Sequence, residues 1–166
     1  MRLRHLAIPI ALASAFTLVL PAATATAATK NPCKLVKSSE INKVFGQPVG
    51  KPKQRISTPV SKQCEWKVTA TADKPGGSVA TYLQFVGAKS AFKADRPQFE
   101  TASVSGLGKD AFYQSTGAAG GVVWVLKGDV LMTVQGVFFS VNGPMFDPAA
   151  LQDELVAVAK IARKRA

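Results

Sequence analysis

The sequence predicts an α+β domain, an antiparallel β-sheet flanked by helices and carrying one disulfide. Three observations predict it. Segments with period-2 alternation lie next to one another in the chain: "QCEWKVTAT" before "SVATYLQFV", then "GGVVWVLKGDVLMTVQGVFF". Amphipathic helical segments precede, interrupt and follow them. The only two cysteines, Cys33 and Cys64, belong to a chain that begins as exported chains do, and an even count in an oxidising compartment implies a bridge.

The export signal comes first. Arg2 and Arg4 precede an apolar run from Leu6 to Leu20, and Ala23-Thr24-Ala25 and Ala25-Thr26-Ala27 both fit a small-residue cleavage pattern. Residues 1–27 therefore read as a cleaved secretory signal peptide, and residues 28–166 as a single α+β domain that is secreted, extracellular or cell-wall associated after cleavage near Ala27. A lipid anchor on Cys33 would need small and apolar residues just before it. Thr29, Lys30, Asn31 and Pro32 stand there instead. No later apolar run approaches the roughly 20 residues that span a bilayer, so no transmembrane segment is expected in the mature chain.

The elements follow in order. In "PCKLVKSSEINKVFG", Ser38 or Ser39 can cap a helix whose Ile41, Val44 and Phe45 share one face, and Gly46 followed by Pro48 ends it. "VGKPKQRISTPVSK" contains Pro52 and Pro59 and reads as a loop or an edge strand. In the next strand Cys64, Trp66 and Val68 point one way and Glu65, Lys67 and Thr69 the other, so Cys64 is inward and its disulfide pins the first helical region to the sheet. The bridge closes a loop of about 31 residues, worth roughly 3–4 kcal/mol in the chain-entropy account. "ADKPGG" is a turn, and Val79, Thr81, Leu83 and Phe85 share a face of the strand after it. Ala88, Ala91 and Phe92 mark a short helix ending before Pro97. Gly128-Asp129 suits a type II′ hairpin turn, with Val130, Met132 and Val134 on one face of the following strand. In the last segment Asp147 caps, Pro148 takes the first helical position, and Leu151, Leu155, Val158 and Ala162 form the apolar stripe.

Several chemistries are excluded by inventory. His5 is the only histidine and leaves with the signal peptide, which removes imidazole-based nucleophilic catalysis and histidine metal ligation. None of the ten carboxylates sits in a calcium-loop pattern, and nothing singles out a catalytic pair. No catalytic residue, metal or cofactor is therefore expected.

The stretch "SGLGKDAFY", Ser105–Tyr113, looks at first like a phosphate loop. A Walker loop has Ser or Thr after its lysine, and Asp110 stands there. A dinucleotide turn opens a helix, whereas "AFYQS" after these glycines reads as a strand. Gly106 and Gly108 read instead as a tight turn feeding a strand.

The ordered set "PCKLVKSSEINKVFG", "CEW" at a strand, "VSGLGKDAFY" before the last hairpin, and a terminal helix resembles an actinobacterial family of exported proteins and lipoproteins, number 3558 in the domain-of-unknown-function series. The resemblance implies a Mog1/PsbP-like α/β/α sandwich and a cell-envelope role without a defined enzyme activity. It brings no catalytic residues with it. Many members carry a lipidated cysteine, and this chain departs from them there.

Formal charge is +11, about +9 without Arg2 and Arg4, which favours anionic partners. Lys51, Lys53, Arg55 and Lys62 form one anion-binding candidate, against the alternative of a solvated loop. Lys160, Arg163, Lys164 and Arg165 form another, although a basic final turn also serves the helix dipole alone. Phe138, Phe139, Met145 and Phe146 are candidates for an apolar contact with a partner or lipid. Together these predict a non-enzymatic envelope binding domain whose partner is a cell-wall polymer, an anionic lipid or an envelope protein, rather than nucleic acid. A carboxylate-dependent secreted hydrolase and a secreted inhibitor or structural interaction protein stay open as alternatives.

Overall fold

The computed structural model describes residues 30–96, 101–117, 119–140 and 145–166, and the expected signal peptide, residues 1–27, lies outside them. Its strands are β1 (Lys53–Ser57), β2 (Ser61–Val68), β3 (Gly76–Gln84), β4 (Thr101–Ser103), β5 (Ala111–Ser115), β6 (Gly120–Lys127) and β7 (Val130–Phe139). The helices are α1 (Ser38–Phe45), α2 (Ala88–Asp95) and α3 (Pro148–Arg165). The strands form one sheet in the order β1-β2-β3-β7-β6-β5-β4, and every pairing is antiparallel. Two meanders, β1–β3 and β4–β7, are thus joined where β7 pairs with β3. The connection between them carries α2.

The expected α+β architecture with an antiparallel sheet and one disulfide is the observed one, with two local differences. The first helical segment is split into a single 3-10 turn, Pro32–Lys34, and α1, which begins after Lys37 rather than behind a serine cap. The carboxylate of Glu40 accepts the Lys37 N–H at 2.8 Å and serves the helix start instead, while Ser38 donates its hydroxyl to the Gly50 carbonyl. A three-residue strand, β4, adds an edge that the pattern did not predict, because three residues are too few to show a period.

The two sheet faces differ in cover. On one, Trp66, Val79, Leu83, Val123, Met132, Val134 and Phe138 pack with Ile41 and Phe45 of α1 and Leu151, Leu155 and Val158 of α3 into a single large core. The alternation of β2 puts Cys64 there, bonded to Cys33 with Cα atoms 5.1 Å apart. The hydroxyl of Thr81 donates to the Pro32 carbonyl beside the bridge, at 3.2 Å, so the 3-10 turn is held twice. The other face carries a smaller cluster under α2, made of Ala88, Phe92, Phe112 and Leu131 with Trp124 and Leu126 against it. Its rings meet in sequence: Phe92 tilts against Phe112 at 5.3 Å, and Phe112 stacks on Trp124 at 5.7 Å. The β6–β7 connection is the expected two-residue turn, with Gly128 at φ 61° and no positive φ at Asp129, as type II′ requires.

Candidate functional site

Beyond α2, no helix among the described residues covers the second face of the sheet. Alternation in β2 sends Gln63, Glu65 and Lys67 to that side, opposite Cys64, Trp66 and Val68. Lys53 pairs across from Glu65 and Ile56 from Gln63, and an irregularity at Arg55 separates the two pairs. On β7, Phe139 lies across from Gly76 and is 64% exposed.

These residues build a groove of about 690 Å³ lined by Lys51, Lys53, Arg55, Glu65, Lys67 and, at its apolar end, Phe139 with Val68. Arg55 forms an ion pair with Glu65, so the net positive charge of the groove comes from Lys51, Lys53 and Lys67. Glu65 is the only carboxylate along its wall among the described residues. The groove therefore offers three ammonium groups and an aromatic ring to one ligand, an arrangement suited to a molecule anionic at one end and apolar at the other.

A second hollow on the same face, about 450 Å³, lies between this groove and α2. Gln63, Tyr82, Gln114, Trp124, Thr133 and Gln135 line it without a positive charge, and Trp124 donates its indole N–H to the Gln114 amide oxygen at 3.1 Å.

The sequence candidates are redistributed. Lys51, Lys53 and Arg55 meet in the groove, but Lys62 does not line it. Lys62 sits in β2 at the parity of Cys64 and lies 5.8 Å from the ring of Phe85. Phe139 is exposed as expected, as is Met145 at 52%. Phe138 and Phe146 are corrected from apolar contact residues to core residues. They are 1% and 7% exposed and pack on each other at 4.6 Å, because β7 continues through Phe138 and its alternation turns that ring inward. Lys67 was not singled out in the sequence, though the same parity that places Cys64 inward places it outward.

Several acids among the described residues are held by cations. Glu40 is bound by both guanidinium nitrogens of Arg165, at 2.7 and 2.6 Å, and that pair holds its carboxyl at about 2, well below the ordinary range. Glu154 approaches Lys74 at 3.2 Å, but burial outweighs the ammonium and pushes its carboxyl up. Asp129 pairs with Lys89 at 2.7 Å on the surface. Among the described residues no group of three or more Cys, Asp or Glu gathers as a metal site would require, and no helix is long and apolar enough to cross a membrane.

Comparison of this chain with protein-family models, with curated proteins and with solved structures finds no match.

Proposed function

We propose that this is an exported, non-enzymatic binding domain of the cell envelope whose open sheet face holds an anionic lipid. The observation that carries this reading is the convergence of Lys51, Lys53 and Lys67 with the exposed ring of Phe139 in one groove. Three ammonium groups with one paired acid favour an anionic headgroup, and a phenyl ring held in water favours an apolar chain beside it. The basic balance of the whole chain and the signal-like N-terminus support the same setting. The ordered sequence motifs support kinship with the exported actinobacterial family named above. Helices on both sides of an antiparallel sheet agree with its Mog1/PsbP-like sandwich. A hydrolase working through paired carboxylates has less support: Glu40, Glu65, Asp129 and Glu154 are engaged by cations, and Asp95 is the one carboxylate lining the second hollow among the described residues.

Co-sedimentation with lipid vesicles tests the reading. Vesicles containing phosphatidylglycerol are expected to retain the protein, and pure phosphatidylcholine vesicles are not. Retention falls with salt, because at 1 M the screening length drops to about 3 Å. Phe139→Ser is expected to weaken retention by about tenfold, the loss of one buried aromatic contact. Equal retention on neutral vesicles, or an unaltered Phe139→Ser variant, would overturn the proposal.

A further inference from the structure

The glycine turn set aside as a phosphate loop on its motif lies at the mouth of a second basic cleft, far from the lipid groove in its lining. The cleft, about 590 Å³, is bounded by Gly106 and Leu107 of the turn, Lys127 at the end of β6, and Lys160, Arg163 and Lys164 from the last turns of α3. No acid lines it. An adjoining hollow shares Gly106 and adds Arg96 and Lys109, again without a carboxylate among its described walls. Asp110, the nearest acid in sequence, contributes to neither.

We propose that this cleft binds a phosphoryl oxyanion. Like charges gathered without a counter-charge repel one another, so a basic final turn serving only the helix dipole would spread its side chains into water. Three features show otherwise. The guanidinium of Arg163 is held against the turn, since a Cβ on Gly108 would stand 3.7 Å from its Nη2. Lys127 is already fixed: its ammonium donates to the carbonyls of Arg163 and Ala166 at 3.0 and 2.7 Å. That contact offsets the negative end of α3, which would otherwise oppose an anion there. The stem of Lys160 is pressed against the turn, since a Cβ on Gly106 would stand 2.8 Å from its Cε.

Gly106 is thus required twice. Its φ of 77° lies in the left-handed region, and its bare Cα leaves the space that Lys160 occupies. The end of β6 and the last turns of α3 hold four cations beside the turn, one with a forked guanidinium, around a space with room for a phosphoryl group. A carboxylate would satisfy fewer of these donors than a three-oxygen phosphoryl group. The site differs from the lipid groove in residues and in sheet face, and neither depends on the other.

The source is either a soluble phosphate or a phosphodiester polymer, and amide-resolved NMR titration separates them. Inorganic phosphate, pyrophosphate and a glycerol-phosphate oligomer are titrated at constant ionic strength, with acetate as the control anion. Saturable shifts are expected at residues 105–109 and 160–166 with the phosphoryl probes and not with acetate. Tighter binding of pyrophosphate assigns a soluble ligand, and tighter binding of the oligomer assigns a polymer. Lys160→Gln and Arg163→Gln are each expected to weaken binding by about tenfold, as loss of a charge-assisted hydrogen bond implies. Arg163→Lys, which keeps the charge but loses the fork, recovers part of it. Lys43→Gln with Lys93→Gln removes two exposed charges outside both basic clefts and leaves the binding unchanged. Non-saturable shifts, equal response to acetate, or equal weakening by the Lys43 and Lys93 changes would overturn the proposal. The last outcome would mean that the anion reads net charge alone.

Discussion

The same strands present two different surfaces, and the difference comes from helix length. On the α1/α3 face, Trp66, Phe45, Leu155 and Val158 are all fully buried. The 18 residues of α3 give a rod of about 27 Å, long enough to cross most of the sheet. The eight residues of α2 give about 12 Å, the width of two or three strands at roughly 4.8 Å spacing. Side chains on that second face change character where the helix stops: Phe112 and Leu131 lie beneath α2, while Gln63, Tyr82, Thr133 and Gln135 lie beyond it. A sheet whose uncovered part is lined by amides, a phenol and lysines is built to remain in water or to meet a polar ligand, not to wait for another helix.

The largest test of that contrast exchanges its two tryptophans. Trp66→Ala is expected to cost about 3–5 kcal/mol, as large aromatic deletions in a closed core do. Trp124→Ala, on the partly covered face, is expected to cost less than about half of that, since its ring keeps contact with water on one side. Urea unfolding of both variants measures the difference, and equal costs would mean that the second face is as closed as the first.

A smaller effect concerns the tie between α1 and α3. Because Arg165 depresses the Glu40 carboxyl to about 2 from an ordinary 4.5, the pair contributes stability above pH 4.5 and loses it as pH falls through about 2. Arg165→Gln is expected to flatten the fall in melting temperature across that window and to lower stability slightly at pH 7. Glu154 works with the opposite sign, its raised carboxyl favouring the fold at the acid end, so Glu154→Gln leaves the Glu40 window in place. An acid profile unaltered by Arg165→Gln would show that Glu40 is not the group being lost.

The smallest expected change is the stability of Phe139→Ser, within about 0.5 kcal/mol of the parent, as for exposed sites generally. A much larger cost would show that this ring packs as part of the fold rather than standing free for a ligand.

Most of this architecture was legible where one period ran long enough. Eight residues of β2 were enough to place Cys64 inward, and Asp147-Pro148 was enough to begin α3, where Asp147 accepts the Ala149 and Ala150 N–H groups. Phe138 and Phe139 show a pattern not carried far enough. The parity of Val130, Met132 and Val134, continued four residues, sends Phe138 in and Phe139 out. The two were instead set together with Met145 and Phe146 as candidates for an apolar contact. The groove was legible only in part for a different reason. Lys51 and Lys53 are neighbours in sequence, but Lys67 and Phe139 reach them through strand pairing, and Lys62 is carried away by the same alternation. The cleft at Gly106 was hidden for longer still, since its cations come from β6 and α3 and only the turn itself bears a recognisable pattern.

The irregular pairing at Arg55 has a further consequence, for how this protein meets its own copies. β1 is an outer strand of the sheet, and an outer strand offers unpaired backbone groups to any extended chain that passes. Here Pro52 stands just before it without an N–H, the extra residue at Arg55 breaks the regular spacing, and Lys53 adds charge. The opposite border is only three residues long. Strand addition is discouraged at both borders, so a high concentration of this basic protein need not lead to fibres, and the broad surfaces of the sheet and the ends of its helices stay available for recognition.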